Sequence, residues 1–188
     1  TLSVSSAASD VYKRQYSKYL KKKKADAVIT DIPRLPIGIL TADCAPILIF
    51  DKQKKMVAAI HAGWKGAYKG IISKVINFMI KKGCEKKNMI AVIGPCIAQK
   101  SYNVKEDFKR KFLKKDKRNK VFFKKRKNLI YFDLSKYVKL QLKLMKITNL
   151  ETINIDTFPK KNNFFSARRS LHLNHDDYGR NISIIMIN

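Results

Sequence analysis

Two short apolar runs separated by a polar turn constrain this chain more than any other feature of it. Residues 47–50 (ILIF) read as a buried strand, Ala58, Ala59 and Ile60 lead into His61, and the polar residues 51–55 between them read as a hairpin turn. Cys44 stands at the start of the first strand, just before Pro46, and His61 at the end of the second. Antiparallel pairing therefore brings a thiol and an imidazole to the same sheet edge. The second run breaks into Gly63, Trp64, Lys65 and Gly66, and glycines at a strand end let the backbone approach a ligand closely.

A Cys and a His at one edge admit three readings. A free cysteine is commonly a small buried hydrophobe. It can be a thiolate nucleophile with a histidine partner, as in a metal-free Cys-His hydrolase. The two can equally be ligands of zinc, for which thiolate and imidazole are both good donors. Asp43 and the Gly-Trp-Lys-Gly loop flank the pair and favour a site over plain burial, and two ligands alone do not choose between the last two readings.

At 188 residues the chain suits one domain with a real core, and no apolar run approaches the roughly 20 residues of a membrane-spanning helix. Cys44, Cys84 and Cys96 are odd in number and lack disulfide or zinc-finger spacing, which points to free thiols in a reducing, cytoplasmic setting. The net charge of +27 would suit a nucleic-acid partner. It is carried by 33 Lys against 8 Arg, spread along the whole length without a binding module, so the lysine runs read as solvated faces and nucleic acid is not the expected partner. Arginine is informative because it is scarce: Arg168, Arg169 and Arg180 crowd into the last stretch, where a planar fork suits an anion.

Residues 1–15 are rich in Ser and poor in Lys, and are expected to be a leader foreign to the domain, which then occupies 16–188. Strands are expected at 25–30, 37–41 and 89–93, the last ending in Gly94-Pro95-Cys96, where Cys96 either lines the same site or belongs to a structural turn. A helix follows Gly66, with Ile72, Val75, Ile76, Met79 and Ile80 on one face and Gly83 as its stop, and its first turn offers N–H groups near His61. A basic helix over 104–114, a strand at 129–132, a helix capped by Asp133, and strands at 153–155 and 182–187 complete the reading. The expected class is α/β: a single-domain, mixed-sheet, sandwich-like fold with flanking helices.

The segments ADAVIT, TADCAPILIFD, AAIHAGWKG, IGPCIAQKSYNV, FFSARR and DYGR, in this order from Ala25 to the C-terminus, resemble the laccase-domain family, formerly labelled multicopper polyphenol oxidase. The resemblance implies a purine nucleoside phosphorylase, often with adenosine deaminase activity, at a zinc site of two His and one Cys. The family's metal Cys falls on Cys44 and its second metal His on His61, which become the catalytic pair. Asp43, Trp64, Lys65, Arg168 and Arg169 are assigned to substrate and phosphate. The first metal His lies in the family upstream of the strand matched by ADAVIT and has no counterpart in this chain; His172 and His175 are not in its place. The chain thus reads as a family member without its N-terminal portion. Lys65 stands where the family has Arg, and Asn103 where it has Glu. With three His in all, the chain cannot furnish a four-copper cluster held mostly by imidazoles, so zinc is the expected metal and copper is not.

Overall fold

Polar turns cut the first half of the chain into short strands, and the longer amphipathic runs that follow form helices. The computed structural model describes residues 2–4, 11–13, 25–175 and 178–188. In order these form β1 (Leu2–Val4), β2 (Val11–Lys13), β3 (Ala27–Thr30), β4 (Ile37–Thr41), β5 (Ala45–Asp51) and β6 (Met56–Ala62), followed by α1 (Trp64–Tyr68), α2 (Ile71–Lys81) and β7 (Met89–Ile93). Then come β8 (Asn103–Val104), α3 (Glu106–Lys115), β9 (Phe123–Arg126), β10 (Leu129–Phe132), α4 (Leu134–Leu144), β11 (Asn149–Thr152), α5 (Ala167–His172) and β12 (Asn181–Ile185).

The hairpin is β5 and β6, antiparallel, with Pro46 opposite His61 and Asp51 opposite Met56. Its turn is held by Asp51, whose fully buried carboxylate accepts N–H bonds from Gln53, Lys54 and, across the fold, Glu85. Around this pair grows a mixed seven-stranded sheet in the order β11-β7-β5-β6-β3-β1-β2, parallel only between β7 and β11. Most of residues 1–15, expected to be a foreign leader, lie outside the described residues; those described form β1 and β2, with Leu2 of β1 opposite Ile29 of β3.

Alternation along the central strands divides the core between two faces. Ile47, Ile49, Ala58 and Ile60 join Ile71, Ile72, Val75, Ile76 and Met79 of α2, and Leu134, Val138 and Leu142 of α4, in the larger cluster. Val57 and Ala59 face the opposite way, onto Ile37, Ile39 and Ile187, where β4 and β12 form a separate two-stranded ribbon. Helices, sheet and ribbon thus make three layers, the sandwich-like α/β arrangement expected.

A second centre of packing lies beside the large cluster. The ring of Phe112, fully buried, stacks on Phe108 at 4.8 Å between centroids and meets Tyr68, Phe123, Phe132 and Tyr137 at 4.8–5.9 Å. Trp64 packs edge-on against Phe108 at 4.8 Å, and Tyr102 against Phe132 at 5.9 Å. These rings fix α1, α3 and the β8-β10-β9 sheet to one another.

Four elements differ from the sequence expectation. The strand placed at 153–155 is instead Asn149–Thr152, leaving Ile153 and Ile155 45% and 42% exposed. Its ladder stops with Thr152 opposite Ile93 because β7 runs into Gly94 and Pro95, and proline has no N–H to extend it. The basic helix begins at Glu106 rather than 104, since Val104 pairs with Ile130 in β8. Trp64 to Tyr68, expected to begin in the glycine loop, and Ala167 to His172, for which no element is expected, are short helices. Among the described residues no helix is long and apolar enough to cross a membrane.

Phe112→Ala should lower the free energy of unfolding by about 3–5 kcal/mol, measured by urea titration. A loss below about 1 kcal/mol would mean that the aromatic cluster closes around the missing ring.

Candidate functional site

The register of three strands gathers the site's first members. Because Pro46 is opposite His61, Cys44, two residues earlier, arrives at the same end of the hairpin. On the other side of β6, Ala27 is opposite Ile60, so Asp26 falls level with His61. The His61 N–H donates to the Asp26 carbonyl at 2.7 Å, and His61 Nδ1 lies 3.5 Å from Asp26 Oδ1. With Nδ1 facing a carboxylate, the tautomer that keeps its proton there presents Nε2 as a lone pair. Gly63 explains why the loop needs a glycine: a Cβ there would stand 2.8 Å from Cys44 Sγ and 3.8 Å from His61 Nε2. The sulfur and the ring nitrogen therefore flank one point.

Burial sets the protonation of both groups. Desolvation, followed by the Asp43 and Asp26 carboxylates, pushes the Cys44 thiol up to about 11. Burial also lowers His61 from its ordinary value, against the opposing pull of Asp26. The pair is thus a neutral thiol and a neutral imidazole at physiological pH. A covalent nucleophile needs a thiolate, which this environment does not supply by itself.

Asp43 has a different place from the one its sequence position suggests. It adopts φ 77°, rare for a residue with a side chain, and is 8% exposed. Its Oδ1 accepts from Thr157 Oγ1 at 2.7 Å, and its Oδ2 from Ser166 Oγ at 2.9 Å and the Arg168 N–H at 2.7 Å. This carboxylate is engaged by three protein donors. Ser166 in turn caps α5, accepting from the Arg169 N–H.

The two adjacent arginines part company. Arg169 Nη1 donates to the carbonyls of Thr157 and Phe158, and Nη2 to that of Phe164, so its guanidinium ties the C-terminal segment together. Arg168 Nη1 donates to the carbonyl and side-chain oxygens of Asn103, and its guanidinium lies 5.2 Å from the centre of the Tyr102 ring. Arg168 belongs to a cavity of about 290 Å³ that also includes Asp43, Cys44, Trp64, Ile97 and Tyr102. Trp64, Tyr102 and Arg168 also line a wider cavity of about 790 Å³ reaching Glu106, Asp107 and Asn128, so the two meet at these three residues. Lys65 and Lys111 hold ammonium groups 5.6 and 5.5 Å from the Trp64 ring centre.

Cys96 is not among the lining residues of that cavity. It is buried, forms a bridge with Asp156, and borders a different hollow beside Asp133 and Ser135. The expected N–H seat beside His61 is the first turn of α1, a helix of only five residues. Tyr102 and Asp26 are members that sequence reading passed over; the hairpin register, extended one strand to β3, would have found Asp26.

Among the described residues no group of three or more His, Cys, Asp or Glu is placed to hold a metal. Cys44 Sγ and His61 Nε2 have the chemistry and approach of two zinc donors, and they do not complete a site. His172 lies elsewhere, edge-on to Phe158.

Two outcomes are expected of this geometry. Arg169→Lys should cost about 1–3 kcal/mol of stability and leave phosphate binding unchanged, since an ammonium cannot span three carbonyls; weakened phosphate binding at unchanged stability would give Arg169 to the ligand. Iodoacetamide should label Cys44 slowly at pH 7.5 and faster as pH rises toward the raised thiol pKa. Rapid labelling at neutral pH would favour the nucleophile.

The chain is 40% identical over 161 residues to a purine nucleoside phosphorylase of Rickettsia conorii, covering 85% of this chain and 66% of that protein. It is 38% identical over 152 residues to a purine nucleoside phosphorylase of Rickettsia prowazekii, covering 80% and 62%. It thus spans just under two thirds of these relatives' lengths. The crystal structure of the Bacillus licheniformis hypothetical protein YfiH superposes with a TM-score of 0.76 at 29% identity, over 87% of this chain and 62% of that one. A Neisseria meningitidis protein superposes at 0.74 and 27% identity, over 87% and 65%. Residues 4–188 match the family described as multi-copper polyphenol oxidoreductase laccase, and the chain belongs to that family.

Proposed function

We propose that the protein cleaves purine nucleosides (adenosine, inosine and guanosine) with phosphate, as a purine nucleoside phosphorylase, and deaminates adenosine at the same site. The observation that carries this reading is that Cys44 shares one cavity with Arg168 and two aromatic residues, Trp64 and Tyr102, while His61 Nε2 stands beside Cys44 Sγ at Gly63. The names of the Rickettsia relatives support it.

In phosphorolysis a phosphate oxygen forms a bond to C1′ of the ribose as the C1′–N9 bond breaks, and the purine leaves with the electron pair and takes up a proton. The catalytic requirement is a fixed phosphate and a shielded base. Arg168 has the charge and planar donors for the phosphate, and its hydrogen bonds to Asn103 hold the guanidinium in place. Trp64 and Tyr102 offer ring faces and edges for the purine. The Lys65 and Lys111 ammonium groups beside Trp64 add positive potential that attracts anions.

For deamination, Cys44 Sγ and His61 Nε2 would hold a zinc ion together with a further, imidazole donor. Such an ion supplies Lewis-acid chemistry for replacing an amine by oxygen at C6. Asp26 fixes the orientation of the His61 ring toward that point.

The test uses the full-length protein. Phosphate-dependent release of hypoxanthine from inosine is expected, with about one zinc per chain, and Arg168→Lys should raise the phosphate KM about tenfold while leaving the nucleoside KM unchanged. A zinc-loaded protein that leaves all three nucleosides intact would overturn the reading.

A further inference from the structure

We propose that Asp43 is a positioning residue that fixes Arg168 relative to the Cys44–His61 pair, so that the phosphate-binding and thiol sides of the cavity keep one spacing. This rests on the reading of Arg168 as the phosphate ligand. Asp43 precedes Cys44 in the chain, and its Oδ2 receives the backbone N–H of Arg168, 125 residues away, at 2.7 Å. One residue thus joins the two walls directly.

The connection is built rather than incidental. The carboxylate is 8% exposed and takes two hydroxyls and one N–H, from residues on both sides of the turn that leads into α5. A fourth point of attachment runs through the backbone, where the Asp43 carbonyl accepts from the Ile97 N–H at 3.0 Å. The left-handed φ of 77° is sterically unfavourable for an aspartate and persists because these bonds over-determine it. Ser166 extends the chain of contacts by capping α5, so Asp43 holds the helix start as well as one amide.

The donors also say what a substitute must do. The Arg168 N–H can only donate, whereas the Thr157 hydroxyl can turn and accept. An asparagine that places its oxygen toward Arg168 and its amide toward Thr157 keeps all three partners, and an alanine keeps none. If Asp43 acts by geometry, the two variants therefore separate.

Three measurements decide the matter. In the complete enzyme, Asp43→Ala should raise the phosphate KM about tenfold with little change in the nucleoside KM, and Asp43→Asn should stay within about threefold of wild type. In an Arg168→Ala background, Asp43→Ala should add no further rise, because the two act through one contact. Amide hydrogen exchange of Arg168 and the rest of α5, read in the present chain, should quicken in Asp43→Ala while the β5–β6 amides stay protected. Ser166→Ala, a milder lesion of the same network, should move exchange in the same direction if Asp43→Ala does not fold. An undiminished rise in phosphate KM in the Arg168→Ala background, an equal loss in both KM values, or unchanged exchange at α5 would overturn the proposal. Lack of nucleoside turnover by the wild-type enzyme would sink the phosphorylase reading instead, and the exchange experiment would still decide the role of Asp43.

Discussion

The antiparallel register of β5 on β6 is the constraint on which the rest depends. A slip of one residue would turn Val57 and Ala59 toward the helices and Ala58 and Ile60 toward the ribbon, exchanging the two faces of the core. It would also move His61 away from Pro46 and so from the loop that carries Cys44. The packing that stabilises the sheet and the spacing that brings sulfur to imidazole are thus fixed together. Asp51 sets this register at the closed end, where its three accepted N–H bonds define the turn.

The open end of the hairpin is completed by parts with unrelated structural origins. Trp64 and Tyr102 reach the cavity from the aromatic cluster around Phe112, so two walls of the site are extensions of a core. Rings packed in this way have little freedom to move. The C-terminal wall has no comparable apolar anchor: α5 contributes no buried residue of its own. Polar contacts do the work there, with Arg169 gathering three carbonyls and Asp43 gathering three donors.

Much of this was legible in the sequence where the signal is local. The strands at 37–41, 89–93 and 129–132, the α2 stripe with its Gly83 stop, and the Asp133 cap all follow from period, glycine and capping chemistry over a few residues. The pairing of Cys44 with His61 was legible because a tight hairpin makes a long-range relation local. Residues 153–155 misled because isoleucines look like strand, whereas the available ladder on β7 had already ended at Pro95. The division of labour between Arg168 and Arg169 was beyond reach for another reason. Adjacent side chains of the same type differ only in what folds around them, and their partners, Asn103 on one side and Thr157, Phe158 and Phe164 on the other, are set by tertiary structure.

The contact between Asp43 and residues 157–168 has a consequence for the order in which the molecule is made. The hairpin and α2 end at Lys81 and can pair once they leave the ribosome, whereas Thr157, Ser166 and Arg168 emerge some eighty residues later, since synthesis proceeds at roughly 5–20 residues per second. Until then the Asp43 carboxylate lacks these donors and remains hydrated, and Cys44 stands in an open loop. The wall that bears Arg168 therefore arrives as a late closing step, and a nascent chain halted before residue 157 would carry the sheet without an enclosed site.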